Sequence, residues 1–291
     1  MRTLVTGGTG FTGSFVVPML LERGHEVRCF VRVSSDRSSL PPDGIEFAVG
    51  DLCLPESFRR AVENVDVLVN VASLGFGHAA SIVDAAVGAG VGRCVFISTT
   101  AVFTSLSAES RTVRLAAEEE IRGSSLAYTI LRPTMIYGGP RDRNMCRLIR
   151  LLSLFGVVPV AGRGEGLQQP VWVEDVASAI VACLEHPETI RRTYNIPGRE
   201  ALTFNEVIDT IGECLGKSIV KVHLPWRPIV KALRVMELWG MGLPLKAEQV
   251  LRLDEDKAFG YEEAARDFGY APRSFRCGVA AEVAQMAEAD R

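Results

Sequence analysis

A short apolar strand runs straight into a glycine-rich turn at Leu4-Val5-Thr6-Gly7-Gly8-Thr9-Gly10-Phe11-Thr12-Gly13, and no other stretch constrains the fold as tightly. The glycines satisfy two frames at once, Gly8-x-Gly10-x-x-Gly13 and Gly7-x-x-Gly10-x-x-Gly13. Phe15 to Leu21 then begins an apolar helical run, Gly24 ends it, and His25 to Val31 starts the next strand. Together they form a βαβ unit of the length that holds a dinucleotide. Side chains in the turn would keep the backbone away from a pyrophosphate. The helix start behind it offers free N–H groups and a positive dipole end. The expectation is a phosphate cradle made by Gly7, Gly8, Thr9, Gly10, Phe11, Thr12 and Gly13. The competing reading is a plain surface turn.

Strand-like runs recur at the spacing of a doubly wound sheet: 3–6, 26–31, 45–49, 65–71, 94–98 and 128–131. Helical segments fall between them at 13–23, 55–62, 79–89 and 113–123, the last with Leu115, Ala116 and Ile121 on one side. This alternation predicts an α/β doubly wound parallel sheet, covered on both faces, with every strand ending on one rim. Past about residue 140 helices dominate, at 144–154, 173–186 and 204–215, with one strand at 193–196 and a terminal helix over 280–291. The expected division is a dinucleotide-binding domain over 1–140 and a smaller, mainly helical substrate domain over 141–291. Segments around 170–197 are expected to return to the first core. The apolar stretch Trp226–Trp239 reads either as a packed helix or as a cover for an apolar substrate.

Composition narrows the class. The chain has 291 residues, 47% hydrophobic and 23% charged, with a net charge of −3. That balance gives no case for a nucleic-acid or membrane-surface partner, and no apolar run is long enough to span a membrane. The seven cysteines are dispersed without paired spacing. They read as reduced thiols, not as a disulfide framework or metal site, and the expected compartment is the cytoplasm.

The residues Thr6-Gly7-Gly8-Thr9-Gly10-Phe11-Thr12-Gly13 resemble the signature of the extended and atypical short-chain dehydrogenase/reductases, the NAD-dependent epimerase/dehydratase group with a Rossmann fold. Other segments follow in that family's order: Gly50-Asp51-Leu52, Asn70-Val71-Ala72-Ser73, 89–99 ending in Thr99, Leu131-Arg132-Pro133, Tyr137-Gly138, 169–177 and 267–273. The resemblance covers nearly the whole chain. It implies that Asp51 and Leu52 lie near the adenine, that Asn70 and Ala72 lie beside the riboses, and that Pro133 is a cofactor-binding residue.

The end of the second strand bears on the cofactor. NAD enzymes place an acid there for the ribose hydroxyls, whereas a nearby arginine suits a 2′-phosphate. Val31 occupies the acidic position here, followed by Arg32 and, a few residues on, Arg37. Guanidinium groups give phosphate a charge-assisted grip. NADP is therefore expected, with NAD and Asp36 as the rivals.

Catalysis is where the chain departs from the resemblance. The family pattern implies a Ser/Thr and a Tyr-x-x-x-Lys pair, in which the ammonium lowers the phenol pKa so that the Tyr can exchange a proton near neutrality. Thr99 matches the Ser/Thr position, but alignment puts Ser110 at the Tyr position and Arg114 at the Lys position. No lysine precedes Lys217, and no tyrosine has a lysine four residues later. Thr99, Arg114 and Tyr137 are the candidate catalytic residues, with Arg114 also expected to hold the nicotinamide ribose. The bland alternatives are a capping Thr99, a packed Tyr137, and an Arg132 paired with a helix carboxylate such as Glu118.

Three functions stay open. They are an NADP-dependent oxidoreductase or epimerase with a non-standard acid, an NADPH-binding sensor or assembly subunit, and an ordinary nucleotide-sugar epimerase or dehydratase. Arg141, Arg143 and Arg147 suit a nucleotide diphosphate, and the Trp226–Trp239 segment suits an apolar carbonyl compound. A homodimer is compatible with all three.

Overall fold

A computed structural model describes residues 1–105, 109–142, 144–225, 230 and 255–289. Six strands come first: β1 (Arg2–Thr6), β2 (Glu26–Val31), β3 (Ile45–Val49), β4 (Val67–Asn70), β5 (Arg93–Ile97) and β6 (Tyr128–Pro133). Then follow β7 (Ile136–Tyr137), β8 (Val157–Ala161), β9 (Leu167–Gln168), β10 (Val171–Trp172), β11 (Arg192–Ile196), β12 (Leu202–Thr203) and β13 (Val220–Leu224). The first helices are α1 (Gly13–Glu22), α2 (Pro55–Ala61), α3 (Ala79–Gly88) and α4 (Glu109–Gly123). The later ones are α5 (Met145–Leu154), α6 (Val173–Glu185), α7 (Phe204–Cys214), α8 (Glu262–Phe268) and α9 (Phe275–Ala289). The chain divides into two compact units. One comprises Met1–Ile136, Val173–Ile196 and Gly260–Ala271, and the other Tyr137–Trp172, Pro197–Phe259 and Pro272–Arg291.

The first unit is built on a seven-stranded sheet of order β11-β6-β5-β4-β1-β2-β3. Every pairing in it is parallel. Its inner strands are apolar on both faces, as a sheet covered twice requires: Leu4, Val5, Leu68, Val69, Val95 and Phe96 are all inaccessible to solvent. On one side Phe58 of α2, Ile82 of α3 and Ile121 of α4 pack with Leu4, Phe30 and Phe96. On the other side α1 lies against α6. β1 sits between β2 and β4, so the chain leaves it in opposite directions for the two halves of the sheet. The crevice outside the carboxyl ends of such strands is where open α/β sheets bind ligands.

The opposite rim is stitched shut. Arg93, at the start of β5, donates from Nη1 to the carbonyls of Cys94 (2.9 Å) and Ala127 (2.8 Å). Its Nη2 reaches Thr129 Oγ1 (2.6 Å), Thr189 Oγ1 (2.8 Å) and the Cys183 carbonyl (2.9 Å). One guanidinium thus joins β5, β6, α6 and the turn before β11.

In the second unit α7 packs on α9, and both lie near α5. α7 opens with a reciprocal capping box between Thr203 and Glu206. Its small ladders include, among the described residues, β9 with β12 antiparallel and β8 with β13 parallel. The sequence reading missed β8 and β13. Pro159 breaks the look of a strand in Val157-Val158-Pro159-Val160, but proline is tolerated where the N–H faces away from a ladder partner. α4 begins at Glu109 rather than Val113, and α9 at Phe275 rather than Ala280. Trp226–Trp239 and Arg143 lie outside the described residues, Val230 apart.

Candidate functional site

The expected cofactor residues of the first unit converge on the carboxyl rim of its sheet. Gly7 follows β1 with φ +69°, and a Cβ there would lie 2.8 Å from the Ala72 nitrogen at the end of β4. A Cβ on Gly13 would come within 2.1 Å of the Gly7 carbonyl oxygen, so the turn closes on itself only with glycine at that position. Gly10 differs. It is exposed, and a Cβ would touch only that same carbonyl, at 3.1 Å. The Gly10 N–H donates to the Gly7 carbonyl (2.9 Å), and the Ser14 N–H to the Gly10 carbonyl (3.0 Å). Thr12 precedes α1 without a side-chain cap, and among the described residues the N–H groups of Phe11 and Thr12 meet no acceptor. An uncapped helix start behind a tight glycine turn fits a pyrophosphate.

A buried network fixes this turn against β4. Thr6 Oγ1 donates to Asn70 Oδ1 (2.8 Å), Asn70 Nδ2 donates to the Ala72 carbonyl (3.0 Å), and the Ala72 N–H donates to Thr6 Oγ1 (3.3 Å). Asn70 is fully buried with both side-chain polar atoms paired, so it acts as a strut under the rim and presents no polar atom to a ligand. Thr6 enters the sequence reading only as the first residue of the glycine signature; its hydroxyl's bonds to β4 carry no sequence signal.

Arg32 is exposed at the end of β2, its N–H bonded to Ser35 Oγ (3.1 Å). Asp51 follows β3, and its carboxylate accepts the Cys53 N–H at 2.9 Å. That bond, aided by the nearby Arg32 charge, holds the Asp51 carboxyl below its usual range. Arg37 stacks on the Phe47 ring at 4.5 Å, on the same edge of the sheet. Asp36 accepts the Ser38 N–H (2.9 Å) in its own loop. Leu52 is half-buried beside Asp51.

Thr99 ends β5 half-exposed and caps the 3-10 turn Thr100–Phe103, its hydroxyl accepting the Ala101 N–H at 3.2 Å. Ser110 and Arg114 lie one turn apart on α4, with Arg114 Nη1 donating to the Ser110 carbonyl (3.2 Å). The Arg114 guanidinium covers Gly75, whose added Cβ would meet its Cζ at 3.1 Å. Pro133 is buried at the end of β6, and its carbonyl accepts from Thr100 Oγ1 (3.4 Å).

Beneath Thr99 lies a charged cluster. Glu118 of α4 is fully buried and accepts from Ser98 Oγ (2.6 Å), Arg122 Nη2 (2.5 Å) and both Arg132 Nε (2.9 Å) and Nη2. Burial opposes its ionisation, but the bonds from Arg132 and Ser98 and the Arg132 charge outweigh that and hold the carboxyl below its ordinary range. Arg132 also stacks over Phe103 at 4.8 Å. The helix-carboxylate alternative for Arg132 is the one the structure builds.

Tyr137 belongs to the second unit and is 1% exposed. It packs against Trp172 and Phe275 with ring centroids 5.4 and 5.5 Å away, and its hydroxyl donates to the Phe275 carbonyl at 3.3 Å. A Cβ on Gly278 would overlap that hydroxyl. These contacts make Tyr137 a packed aromatic, as its bland alternative expects, and leave its hydroxyl buried. Arg141 and Arg147 are exposed on either side of buried Asp142, which caps α5 by accepting the N–H groups of Met145 (3.0 Å) and Cys146 (2.9 Å). Glu282 of α9 is fully buried there, and among the described residues neither of its oxygens has a hydrogen-bond partner. Burial and the Asp142 charge push its pKa up to about 8.

Comparison with known proteins bears on the family and the fold. A family described as NAD(P)H-binding matches residues 7–187. The 2-alkyl-3-oxoalkanoate reductase of Stenotrophomonas maltophilia is 27% identical, over 94% of this chain and 95% of its own. The photosystem II assembly factor Ycf39 of Trieres chinensis is 24% identical, over 88% of this chain and 83% of its own. The fold is shared with the UDP-glucose 4-epimerase of Thermotoga maritima, solved with UDP-glucose, at a TM-score of 0.79 and 19% identity over the full length of both chains. The chain belongs to the NAD(P)H-binding family, among the extended and atypical short-chain dehydrogenase/reductases.

Proposed function

We propose that this chain binds NADPH in preference to NADH and works as a dinucleotide-dependent sensor or assembly subunit, without the phenol-driven step of its relatives. What carries the reading is the absence of any Tyr-x-x-x-Lys spacing in the chain, with the family resemblance aligning Ser110 and Arg114 of α4 to the positions of the phenol and the ammonium. A serine hydroxyl cannot replace a phenol as an acid near neutrality, and an arginine cannot tune one as an ammonium does. The burial of Tyr137, one candidate replacement donor, supports it. When bound, the cofactor would supply a hydride. The chain would hold its pyrophosphate on the Gly7–Gly13 turn and its 2′-phosphate at Arg32.

The second reading is an NADPH-dependent reductase of a carbonyl compound. It is favoured by end-to-end similarity to a reductase and by the half-exposed Thr99 hydroxyl. Fluorescence titration with NADPH and NADH, on the unmodified chain and on Arg32→Ala, tests the cofactor claim. Equal affinities in the unmodified chain would sink it. Screening NADPH oxidation over ketones and nucleotide sugars separates the two readings, since robust turnover would overturn the sensor.

A further inference from the structure

β8 and β13 make a two-stranded parallel ladder with one inward and one outward face. Val158 and Val160 point inward and are buried, while Val157 and Pro159 are exposed. The register pairs Val157 with Val220, Pro159 with Val222 and Ala161 with Leu224. Side chains two apart along a strand share a face. Val220, Val222 and Leu224 therefore continue the outward apolar surface, and all three are exposed. The chain enters β8 through Leu154 and Phe155, 75% and 58% exposed, and the Val220 N–H donates to the Gly156 carbonyl (2.8 Å) beside them. The exposed apolar end of α5 thus leads directly into the ladder whose outward face is apolar. Contiguous apolar area of this kind marks an interaction site rather than the scattered exposure normal for a surface.

Among the described residues, the charges around it are in net basic excess. Arg147 and Arg150 are exposed on α5 just before Leu151 and Leu154, and among the described residues neither has a carboxylate partner. Lys217, in the turn before β13, donates to the Ser153 carbonyl next to Leu154. The nearby carboxylates are engaged: Asp209 with Lys221, Glu213 with Arg276, and Glu165 with Arg163. The chain's net charge of −3 hides this local excess. A second copy docked on the same face by two-fold symmetry would bring its own cations against these, which argues against a self-interface.

We propose that this face attaches the protein to an anionic lipid surface, with Leu154, Phe155 and the outward ladder residues entering the headgroup boundary and Arg147, Arg150 and Lys217 meeting lipid phosphates. Apolar insertion combined with basic residues is the physical signature of reversible interfacial binding, and no helix among the described residues is long and apolar enough to cross a membrane. The test is co-sedimentation of the full chain with vesicles of phosphatidylcholine alone and of phosphatidylcholine mixed with phosphatidylglycerol. Binding is expected to the mixed vesicles, weakened by salt. Arg147→Gln with Arg150→Gln should reduce partitioning about tenfold or more. Leu154→Glu with Phe155→Glu should abolish it while circular dichroism and NADPH affinity stay unchanged. No binding to either vesicle overturns the proposal, as does equal binding to both. So does a concentration-dependent dimer, detected by light scattering, that the Leu154→Glu/Phe155→Glu variant dissociates.

Discussion

Arg132 of β6 lays its guanidinium along the carboxylate of Glu118 on α4, with Nε 2.9 Å from Oε1 and Nη2 on Oε2. This pair ties the helix that carries Ser110 and Arg114 to the strand that ends at Pro133. Removing one partner leaves a buried charge only partly compensated. Arg132→Met should therefore lower stability by about 3–5 kcal/mol, read from denaturant midpoints. Glu118→Gln, which keeps shape and removes the charge, should cost less. A loss under about 1 kcal/mol for Arg132→Met would mean that Arg122 and Ser98 suffice.

The glycine turn separates folding from binding. Gly13→Ala puts a methyl into the Gly7 carbonyl and should destabilise the fold. Gly10→Val brings its Cβ against a single carbonyl oxygen, at a close 3.1 Å, so the chain should still fold, with a modestly lowered melting curve, yet lose NADPH binding. Retained affinity in that folded variant would show that the turn does not hold the phosphates.

For Tyr137, deletion of the hydroxyl distinguishes packing from chemistry. Its bond to the Phe275 carbonyl is long, at 3.3 Å. Tyr137→Phe is expected to cost roughly 0.5–1.5 kcal/mol of stability and to leave NADPH affinity unchanged. A selective loss of turnover on any substrate, with stability intact, would restore Tyr137 as a proton donor.

Glu282 gives the second unit a pH dependence of definite sign. Its pKa in the folded chain is raised to about 8 from an ordinary 4.5, by burial first and by the Asp142 charge second. Between these values the unfolded chain has released a proton that the folded chain still holds. Stability therefore falls as pH rises through this window, by up to about 1.4 kcal/mol per pH unit. Glu282→Gln should be close to neutral at acid pH and more stable than the unmodified chain above the window. Parallel thermal-melt curves across the whole range would refute this.

If Ser110 and Arg114 occupy the positions of the missing pair, Ser110→Tyr with Arg114→Lys places a phenol and an ammonium one helical turn apart. A general acid contributes about 10²–10⁴-fold to rate, so a gain on a fitting ketone or nucleotide sugar should be measurable. Turnover by the original chain that ignores changes at Thr99, Ser110 and Arg114 would place the chemistry elsewhere.

The first unit was legible in the sequence because its signals are local. Gly7, Gly10 and Gly13 announce the turn, and β2 spans Glu26–Val31 as its apolar run predicts. What escaped depends on distant partners. The hydroxyl of Tyr137 is enclosed by Phe275 and Gly278, far along the chain, and nothing near Tyr137 distinguishes a packed phenol from a reactive one. The strut of Thr6 and Asn70 and the bonds around Glu118 likewise form only when strands and helices meet. The ladder of β8 and β13 pairs segments about sixty residues apart across a proline.

Arg93 gives the sheet unequal ends. With its donors spent on five acceptors across β5, β6, α6 and the turn before β11, the amino rim has little freedom to shift its strands. The loops of the carboxyl rim can therefore be exchanged without disturbing strand register, much as fittings are changed on a bolted frame. The exchange Ser110→Tyr with Arg114→Lys on α4 likewise touches none of the groups that Arg93 holds.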